Sequence, residues 1–374
     1  MLSPIIVFPL VFIAVLALGG WYLSDELKRR ALTPGENPRQ HDLEVVHIQE
    51  GQVTLRLTRL AEGDGTWKRA GIWGMEWDGG YARVGTILDL TDHQVIREFY
   101  ALSELPGAGE MVHLDNLAYA GDPKKALNIP FQDVSFSSPL GDLAAWFVGG
   151  SSETWAIFVH GRNASPHEGL RILPTLVELG LPCLLITYRN DDGAPVNRDG
   201  FHRHGQTEWK DLEGAADYAL DHGARDLLLI GYSMGGAIVM NFLYESSLKE
   251  KTLGVVLDSP MLDFNATVDH AASQQGPIRF LTPIGKFIAR FRFDINWSDW
   301  DYLAHADRLA IPVLLFHGDE DYIVPIKTSD TLSRIRPDIV KYVRGAGVTH
   351  VASWNNDPAG YEGAVRDFIL ALPK

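Results

Sequence analysis

Cysteine, basic charge and metal-binding motifs are what this sequence has least of. Its single cysteine, Cys183, permits no internal disulfide and no cysteine-based zinc cage. The chain has 33 lysine and arginine residues against 48 acidic residues, and the net charge of −15 would repel a phosphate backbone, which excludes nucleic acid as a partner. It also has no H-E-x-x-H motif, no EF-hand loop, no P-loop and no dinucleotide-binding glycine pattern after a strand. We therefore predict that neither a metal nor an organic cofactor is needed.

The composition is that of a folded globular protein. Of the 374 residues, 46% are hydrophobic and 22% are charged, which is too apolar for a disordered chain. At about 150 residues per domain, the length predicts one large domain and a smaller unit.

The longest apolar run lies at the N-terminus, where residues 1–24 carry no charged side chain. Residues 4–23 match the length of a helix that crosses about 30 Å of hydrocarbon, so we predict a single-pass transmembrane anchor with the lipid bilayer as its partner. The basic residues Lys28, Arg29 and Arg30 follow this run, whereas a cleaved signal peptide has its basic residues first. By the positive-inside rule they place the rest of the chain in the cytoplasm. A cleaved signal peptide and a buried core helix are the alternatives.

After a polar linker, residues 25–41, the segment 42–130 is predicted to form a small β-rich module. Short runs such as VTLRLTRL, RAGIWGMEW, GYARVGTILDL and QVIREFYAL alternate apolar and polar residues and are separated by turns that contain Gly and Asp. Its tryptophans are assigned to core packing, with a binding surface as the alternative: Trp67, Trp73 and Trp77.

From residue 131 onward the pattern changes to short apolar strands that alternate with helical segments. The strand candidates are WAIFVH, PCLLITY, DLLLI, LGVVLD and PVLLF. This alternation is typical of an α/β fold with a mainly parallel sheet flanked by helices, and it places ligand chemistry at the C-terminal ends of the strands. Residues 259–310 are too long for an ordinary crossover and are predicted to form a small helical cap. The predicted catalytic domain is 131–374.

A Gly-x-Ser-x-Gly motif lies between the strand DLLLI and the apolar stretch AIVMNFLYE. Gly231, Ser233 and Gly235 occupy its defined positions. This arrangement is typical of a nucleophile elbow, a sharp strand-to-helix turn that needs glycines because the chain comes close to itself on either side of the serine. A serine that only caps a helix in a glycine-rich turn is the alternative. The position between a strand and a helix favours the nucleophile.

With this elbow, the predicted catalytic domain resembles the α/β-hydrolase superfamily, whose members order their triad as Ser, then Asp or Glu, then His. The stretch PVLLFHGDEDYIVP is similar to the family signature H-G-x-x-D-x-x-V-P, whose aspartate is Asp321 here, with Asp319 and Glu320 as nearby rivals. His350 lies in the small-residue loop GAGVTHVASW, before the last helix. The resemblance thus implies the elbow serine as nucleophile, His350 as its base, and Asp321 as the acid that orients the base.

The same resemblance implies two donors for the oxyanion of a tetrahedral intermediate. One is the backbone N–H of Met234, directly after the nucleophile. The other comes from the His-Gly turn in IFVHGRNASP, where Arg162 donates its backbone N–H and Asn163 is the alternative donor. This role does not require the Arg162 side chain.

Three further stretches, YRND, HGQTEWKD and HVASWNNDP, are similar to blocks of actinobacterial α/β hydrolases that are membrane-anchored and carry an N-terminal β segment. Four of their residues are candidates for substrate contact, although we favour hydrogen bonding between loops: Asp191, Glu208, Trp209 and Asn355.

These features predict a serine hydrolase that transfers the acyl group of a small carboxylic ester to water. The predicted anchor and the aromatic cap favour an apolar acyl group. A thioesterase or a peptidase of the same fold is the alternative enzyme, although the segment before the hydrolase is too short for the propeller of a prolyl-oligopeptidase. A membrane-tethered binding protein that kept the fold and lost the chemistry is the non-enzymatic alternative. The complete set of predicted triad and oxyanion residues favours an enzyme.

Overall fold

The computed structural model describes residues 4–35, 41–58 and 65–373, with side chains from residue 13 onward. Along the chain, these residues form an N-terminal helix, a β-barrel and a larger α/β unit. Helix α1, Pro4–Leu27, continues into one π-helical turn, Lys28–Leu32, ahead of the barrel.

In the described residues the barrel consists of six antiparallel strands, β1 (Leu43–Gln49), β2 (Gln52–Leu57), β3 (Trp73–Trp77), β4 (Gly80–Leu90), β5 (Gln94–Ala101) and β6 (Met111–Asp115). They close in the order β1-β2-β5-β4-β3-β6. Buried residues alternate with more exposed ones in β5 and β6, because one face of each strand points into the barrel. Trp73 and Trp77 lie in the barrel core and Trp67 packs against it, as the packing interpretation predicts.

A short helix, α2 (Pro123–Leu127), leads into the sheet of the α/β unit. The sheet contains β7 (Gln132–Ser138), β8 (Gly141–Val148), β9 (Thr154–Val159), β10 (Cys183–Ile186), β11 (Asp226–Tyr232), β12 (Thr252–Asp258), β13 (Val313–Gly318) and β14 (Val340–Gly345). Its strand order is β14-β13-β12-β11-β9-β10-β8-β7. Strand β8 runs antiparallel to both of its neighbours, and the remaining pairs are parallel. The predicted mainly parallel sheet is confirmed.

Helices cover both faces of this sheet. One face carries α4 (Trp209–Asp221), α5 (Met234–Glu245) and α8 (Lys327–Ile335), and the other carries α3 (Leu173–Glu178), α9 (Ser353–Asn356) and α10 (Pro358–Ala371). In β9, Ile157 and Val159 join the first core whereas Ala156 and Phe158 join the second. Successive side chains of a strand point to opposite faces, so a strand covered on both faces is apolar throughout.

Between β12 and β13 the chain forms α6 (Phe264–Ser273) and α7 (Thr282–Phe293), which we call the cap. Short 3-10 turns precede α7 and follow it, at Gly276–Leu281 and Tyr302–Arg308. These elements lie within the range 259–310, for which the sequence predicts a cap.

Helix α1 does not support the predicted transmembrane anchor. In the part of the chain that the structure describes, no helix is long and apolar enough to cross a membrane, so neither a span over 4–23 nor its contact with a bilayer is supported. The C-terminal half of α1 packs on α7 instead, where the Arg292 guanidinium lies 3.8 Å from the centroid of the Trp21 ring and 2.7 Å from the Asp25 carboxylate. Leu32, just beyond it, is fully buried in the core of the α/β unit. The cytoplasmic location stays a prediction.

Candidate active site

Ser233 lies at the junction between β11 and α5, with φ 51° and ψ −117°. The turn is so tight that a Cβ on Gly231 would lie 2.7 Å from the carbonyl oxygen of Gly235, and a Cβ on Gly235 would collide with the carbonyl oxygen of Val159. Only glycine fits these two positions. Ser233 holds the N-cap position of α5 but its hydroxyl makes no capping hydrogen bond, which removes the alternative of a purely structural cap.

The Ser233 hydroxyl contacts the last loop of the chain. Its Oγ lies 2.8 Å from Nε2 of His350, and Nδ1 of the same imidazole lies 2.7 Å from Oδ2 of Asp321. The structure therefore brings together the three residues that the sequence proposes as a triad, from the ends of β11 and β13 and from the loop after β14. Serine, imidazole and carboxylate in hydrogen-bonded series are the arrangement that activates a serine as a nucleophile.

The two rival carboxylates point elsewhere. Asp319 lies 3.1 Å from the guanidinium of Arg344 and accepts a hydrogen bond from a backbone N–H of the turn after β14. Glu320 forms an ion pair with Arg69 of the barrel at 2.7 Å. Of these three neighbouring acids, Asp321 is the one in contact with the imidazole.

Asp321 is held from several sides. Its Oδ1 accepts hydrogen bonds from the backbone N–H groups of Ile323 and Val324 at 2.9 and 2.8 Å. Its Oδ2 also lies 3.1 Å from Nε2 of His317, whose Nδ1 contacts the Ser329 hydroxyl at 2.7 Å. The sequence analysis does not assign His317 a role at the site. Its place four residues before the acid, at the end of a buried strand, is the signal that could have identified it as a residue that positions the carboxylate.

The charges of this cluster shift the pKa values of both Asp321 and His350. Burial alone would raise the pKa of Asp321, but the charges and hydrogen bonds of His350 and His317 outweigh it and hold that pKa well below the usual range. Burial alone would lower the pKa of His350, but the Asp321 carboxylate outweighs it and raises that pKa above its ordinary value of 6.5. The carboxylate thus stays ionised and stabilises the imidazolium that proton transfer would produce.

These shifts predict the pH dependence of turnover. The base acts only when its imidazole is neutral, so kcat/KM should rise with pH and reach half of its plateau above pH 6.5, because the pKa of His350 is raised. Asp321→Asn removes the carboxylate charge that raises the pKa of His350. The midpoint of the residual activity should therefore move to lower pH. A kcat/KM profile against pH for a neutral ester checks both. A midpoint that stays in place in Asp321→Asn would contradict the assignment.

The two backbone N–H groups predicted to bind an oxyanion belong to residues that line the pocket with Ser233. In the described part of the chain, Arg162 and Met234 have no acceptor for their backbone N–H groups. The loop that carries Arg162 is anchored by Glu168, whose carboxylate accepts the Gly161 N–H at 2.8 Å. Oδ1 of Asn163, the alternative donor residue, accepts a hydrogen bond from the Gly35 N–H and lies 3.1 Å from Nε2 of His202. Glu168 is a supporting residue that the sequence analysis did not identify.

A pocket of about 240 Å³ opens beside Ser233 and is lined mostly by apolar side chains. Met261, Phe264 and Val268 reach it from the cap side, and Leu23 and Leu27 reach it from α1. The N-terminal helix therefore supplies a wall of the pocket next to the nucleophile. Leu23 and Leu27 serve this wall, whereas other apolar residues of α1, such as Ile13, Val15 and Leu18, are exposed.

Of the four residues from the similar blocks, Asp191 and Asn355 form the predicted hydrogen bonds between loops, Glu208 bonds within its own loop and Trp209 makes a packing contact. The Asp191 carboxylate contacts His160 at 2.9 Å and accepts the Tyr188 N–H at 2.8 Å. Glu208 is fully buried and accepts backbone N–H groups of its own loop. Trp209 packs against the main core.

Asn355 connects the barrel to the histidine loop. Its side-chain amide donates to the backbone oxygens of Ile72 and Asn116 at 2.7 and 3.0 Å. The amide of Asn116 in turn lies 3.3 Å from the backbone oxygen of Val351, directly after His350. The barrel therefore braces the loop that carries the imidazole, a contact for which the sequence holds no local signal.

The comparisons with known proteins agree with this fold. The model of the alpha/beta hydrolase family matches residues 156–370, more than half of the chain, and the chain belongs to that family. A solved esterase of Pyrococcus furiosus has 18% sequence identity and a TM-score of 0.54 over 68% of this chain and 96% of its own. An esterase of a Rhodococcus species has 15% identity and a TM-score of 0.47 over 64% of this chain and 99% of its own. No curated protein matches the chain.

At 18% identity the Pyrococcus furiosus structure establishes the fold alone. The comparisons do not bear on the finer resemblance to membrane-anchored actinobacterial hydrolases, which stays a prediction from the three sequence blocks.

Proposed function

We propose that this protein is a serine hydrolase that cleaves a carboxylic ester through an acyl-enzyme on Ser233. The observation that carries the proposal is the hydrogen-bonded series from the Ser233 Oγ through His350 to Asp321, with spacings of 2.8 and 2.7 Å. A serine in a strained elbow, hydrogen-bonded to a buried imidazole next to a buried carboxylate, is what a nucleophile requires. A protein that only bound its ligand would not need this alignment.

Each step of the proposed reaction uses a group that is already in place. Nε2 of His350 takes the hydroxyl proton while Oγ of Ser233 attacks the ester carbonyl, and the N–H groups of Arg162 and Met234 hold the oxyanion. The tetrahedral intermediate collapses, the C–O bond to the alcohol breaks, and the imidazolium returns its proton to the leaving alcohol. Water, deprotonated by the same imidazole, then attacks the acyl carbon. The bond from that carbon to Oγ of Ser233 breaks, the imidazolium returns its proton to Oγ, and the acid leaves. Throughout, Asp321 keeps the imidazole oriented and compensates its positive charge.

The bond class is tested by a panel of substrates. The purified full chain is assayed with p-nitrophenyl esters of increasing acyl length, with acyl-CoA thioesters and with peptides, and Ser233→Ala serves as the blank. We expect the highest kcat/KM on esters. Turnover of thioesters or peptides far above that of every ester would contradict the proposed substrate class and leave the serine mechanism standing.

The wall formed by α1 should select acyl length. We expect Leu27→Trp, which fills part of the pocket, to lower the kcat/KM ratio of p-nitrophenyl hexanoate to p-nitrophenyl acetate about tenfold, because a longer chain no longer fits. Leu18→Trp is the matched control, since Leu18 lies on the same helix but is 72% exposed. An equal ratio in the two variants would show that the acyl chain does not lie along α1.

A further inference from the structure

Among the described residues, the Arg162 side chain makes no hydrogen bond and no ion pair. The residue lines the pocket beside Ser233. The residue is partly buried, and burial lowers its pKa, but a guanidinium stays protonated near neutral pH. The oxyanion role proposed for this residue uses only its backbone N–H. Its charge is therefore unexplained by the mechanism.

The other cations of the same pocket are neutralised by acidic neighbours. Arg30 forms an ion pair with Glu26 at 2.6 Å, and Lys286 forms one with Asp269 at 2.7 Å. Both pairs are complete without a ligand. Arg162 differs because, among the described residues, no acidic side chain and no hydrogen-bond acceptor is paired with its guanidinium.

The groups around Arg162 do not offset its charge. Two histidines lie within reach of its charge, His202 and the pocket residue His204, and burial, assisted by the charge of Arg162, lowers the pKa of each to about 3, so both are neutral. Nε2 of His204 lies 3.0 Å from the backbone oxygen of Ala31, at hydrogen-bond distance. An uncompensated charge in such surroundings is destabilising, and proteins retain one where a ligand completes it.

We propose that the Arg162 guanidinium binds an anionic oxygen group of the substrate, a carboxylate or a phosphate, on the far end of an apolar acyl chain. The guanidinium fork matches the two oxygens of such a group, and the apolar side chains of the cap and α1 accommodate the chain between that group and the ester. The substrate class is thus an ester with an acidic acyl portion. This inference rests on the proposed function for the ester, whereas the anion site itself does not.

The first test compares two esters of equal acyl length, mono-p-nitrophenyl adipate and p-nitrophenyl hexanoate. In the wild-type chain the adipate ester should have the higher kcat/KM. In Arg162→Gln the ratio of adipate to hexanoate should fall about ten- to hundredfold, the usual effect of a lost charge-assisted contact. Arg162→Lys, which keeps the positive charge, should retain part of the preference for the adipate ester. Arg366→Gln, which removes an exposed charge paired with Glu178, should leave the ratio unchanged.

The second test measures binding without turnover, by calorimetry on the Ser233→Ala chain. Monomethyl adipate should bind more tightly than neutral dimethyl adipate, and adding Arg162→Gln should remove that difference. Hexyl phosphate in place of monomethyl adipate separates the two anions, because the tighter ligand identifies the group. The melting temperature of Arg162→Gln should not fall, since the change removes an unpaired charge, whereas loss of a purely structural residue would lower it.

The outcomes are separable. An adipate-to-hexanoate ratio that Arg162→Gln does not change, or equal affinity for the monomethyl and dimethyl esters, would overturn the anion site. If no ester is hydrolysed but monomethyl adipate binds in an Arg162-dependent way, the ester hydrolase is wrong and the anion site stands.

Discussion

Ser233→Ala is expected to lower kcat on a p-nitrophenyl ester by about 10⁴- to 10⁶-fold, because members of a triad act as a unit and the remaining N–H donors give only a small residual rate. The hydroxyl contacts the imidazole of His350 and makes no capping bond, so its removal should leave the fold intact. Labelling by a fluorophosphonate, which attaches to the activated serine, should disappear in the same variant. His350→Ala should lose turnover to a similar extent.

The matched control is Ser273→Ala, which removes the hydroxyl of an exposed serine in α6 whose only role is a local bond to His270. This variant should keep both activity and labelling. Labelling that persists in Ser233→Ala, with circular dichroism like that of the wild type, would mean that another residue is the nucleophile.

Asp321→Asn is expected to lower kcat by about 10⁴-fold, since the amide can donate to Nδ1 and so favours the imidazole tautomer that cannot take the serine proton. It also removes the charge that stabilises the imidazolium, which adds to the loss. The hydrogen bonds that the Asp321 Oδ1 accepts from Ile323 and Val324 can remain in the variant, so the loop should keep its shape. Steady-state kinetics together with a melting curve separates lost chemistry from lost folding.

Asp319→Asn is the control for the acid, because it changes a neighbouring carboxylate that bonds to Arg344 and to a backbone N–H. It should keep most of the wild-type kcat and lose at most some stability. If Asp319→Asn abolished turnover while Asp321→Asn preserved it, the assignment of the acid would be reversed.

The central strands of the sheet could be predicted because each one has an apolar pattern within its own sequence. The middle residues of the five central strands are apolar, and burial on both faces demands this of each strand independently of its neighbours. Strand β14 was missed because it lies at the sheet edge, and its sequence VKYVRG alternates half-buried and exposed residues. The same applies to β7, whose residues are mostly exposed. An edge strand has only one neighbouring strand, and the side chains of β7 and β14 are mostly exposed or half-buried. Fewer of their residues therefore need to be apolar.

In helix α1 the apolar signal is strong, but it allows two interpretations. Its apolar run predicts burial in a membrane, but such a run is equally suited to packing on another helix, and hydrophobicity alone does not distinguish the two. In the described part of the chain no helix is long and apolar enough to cross a membrane, and the C-terminal half of α1 contacts α7, which lies far along the chain. No periodic pattern within residues 4–23 could have identified that partner.

The sequence by itself determined the chemistry that depends on neighbouring residues. The elbow needs glycines within a few positions of Ser233, and the acid needs a short turn after a strand, so both leave readable motifs. The tertiary structure alone decided how distant parts combine: the triad joins Ser233 to a histidine 117 positions away, and the barrel contacts that loop through Asn116 across 234 positions. It also left the Arg162 side chain without an ion pair among the residues that the structure describes. A contact between remote segments produces no recognisable pattern in the sequence of either segment, because it forms only when the packed core brings the two together.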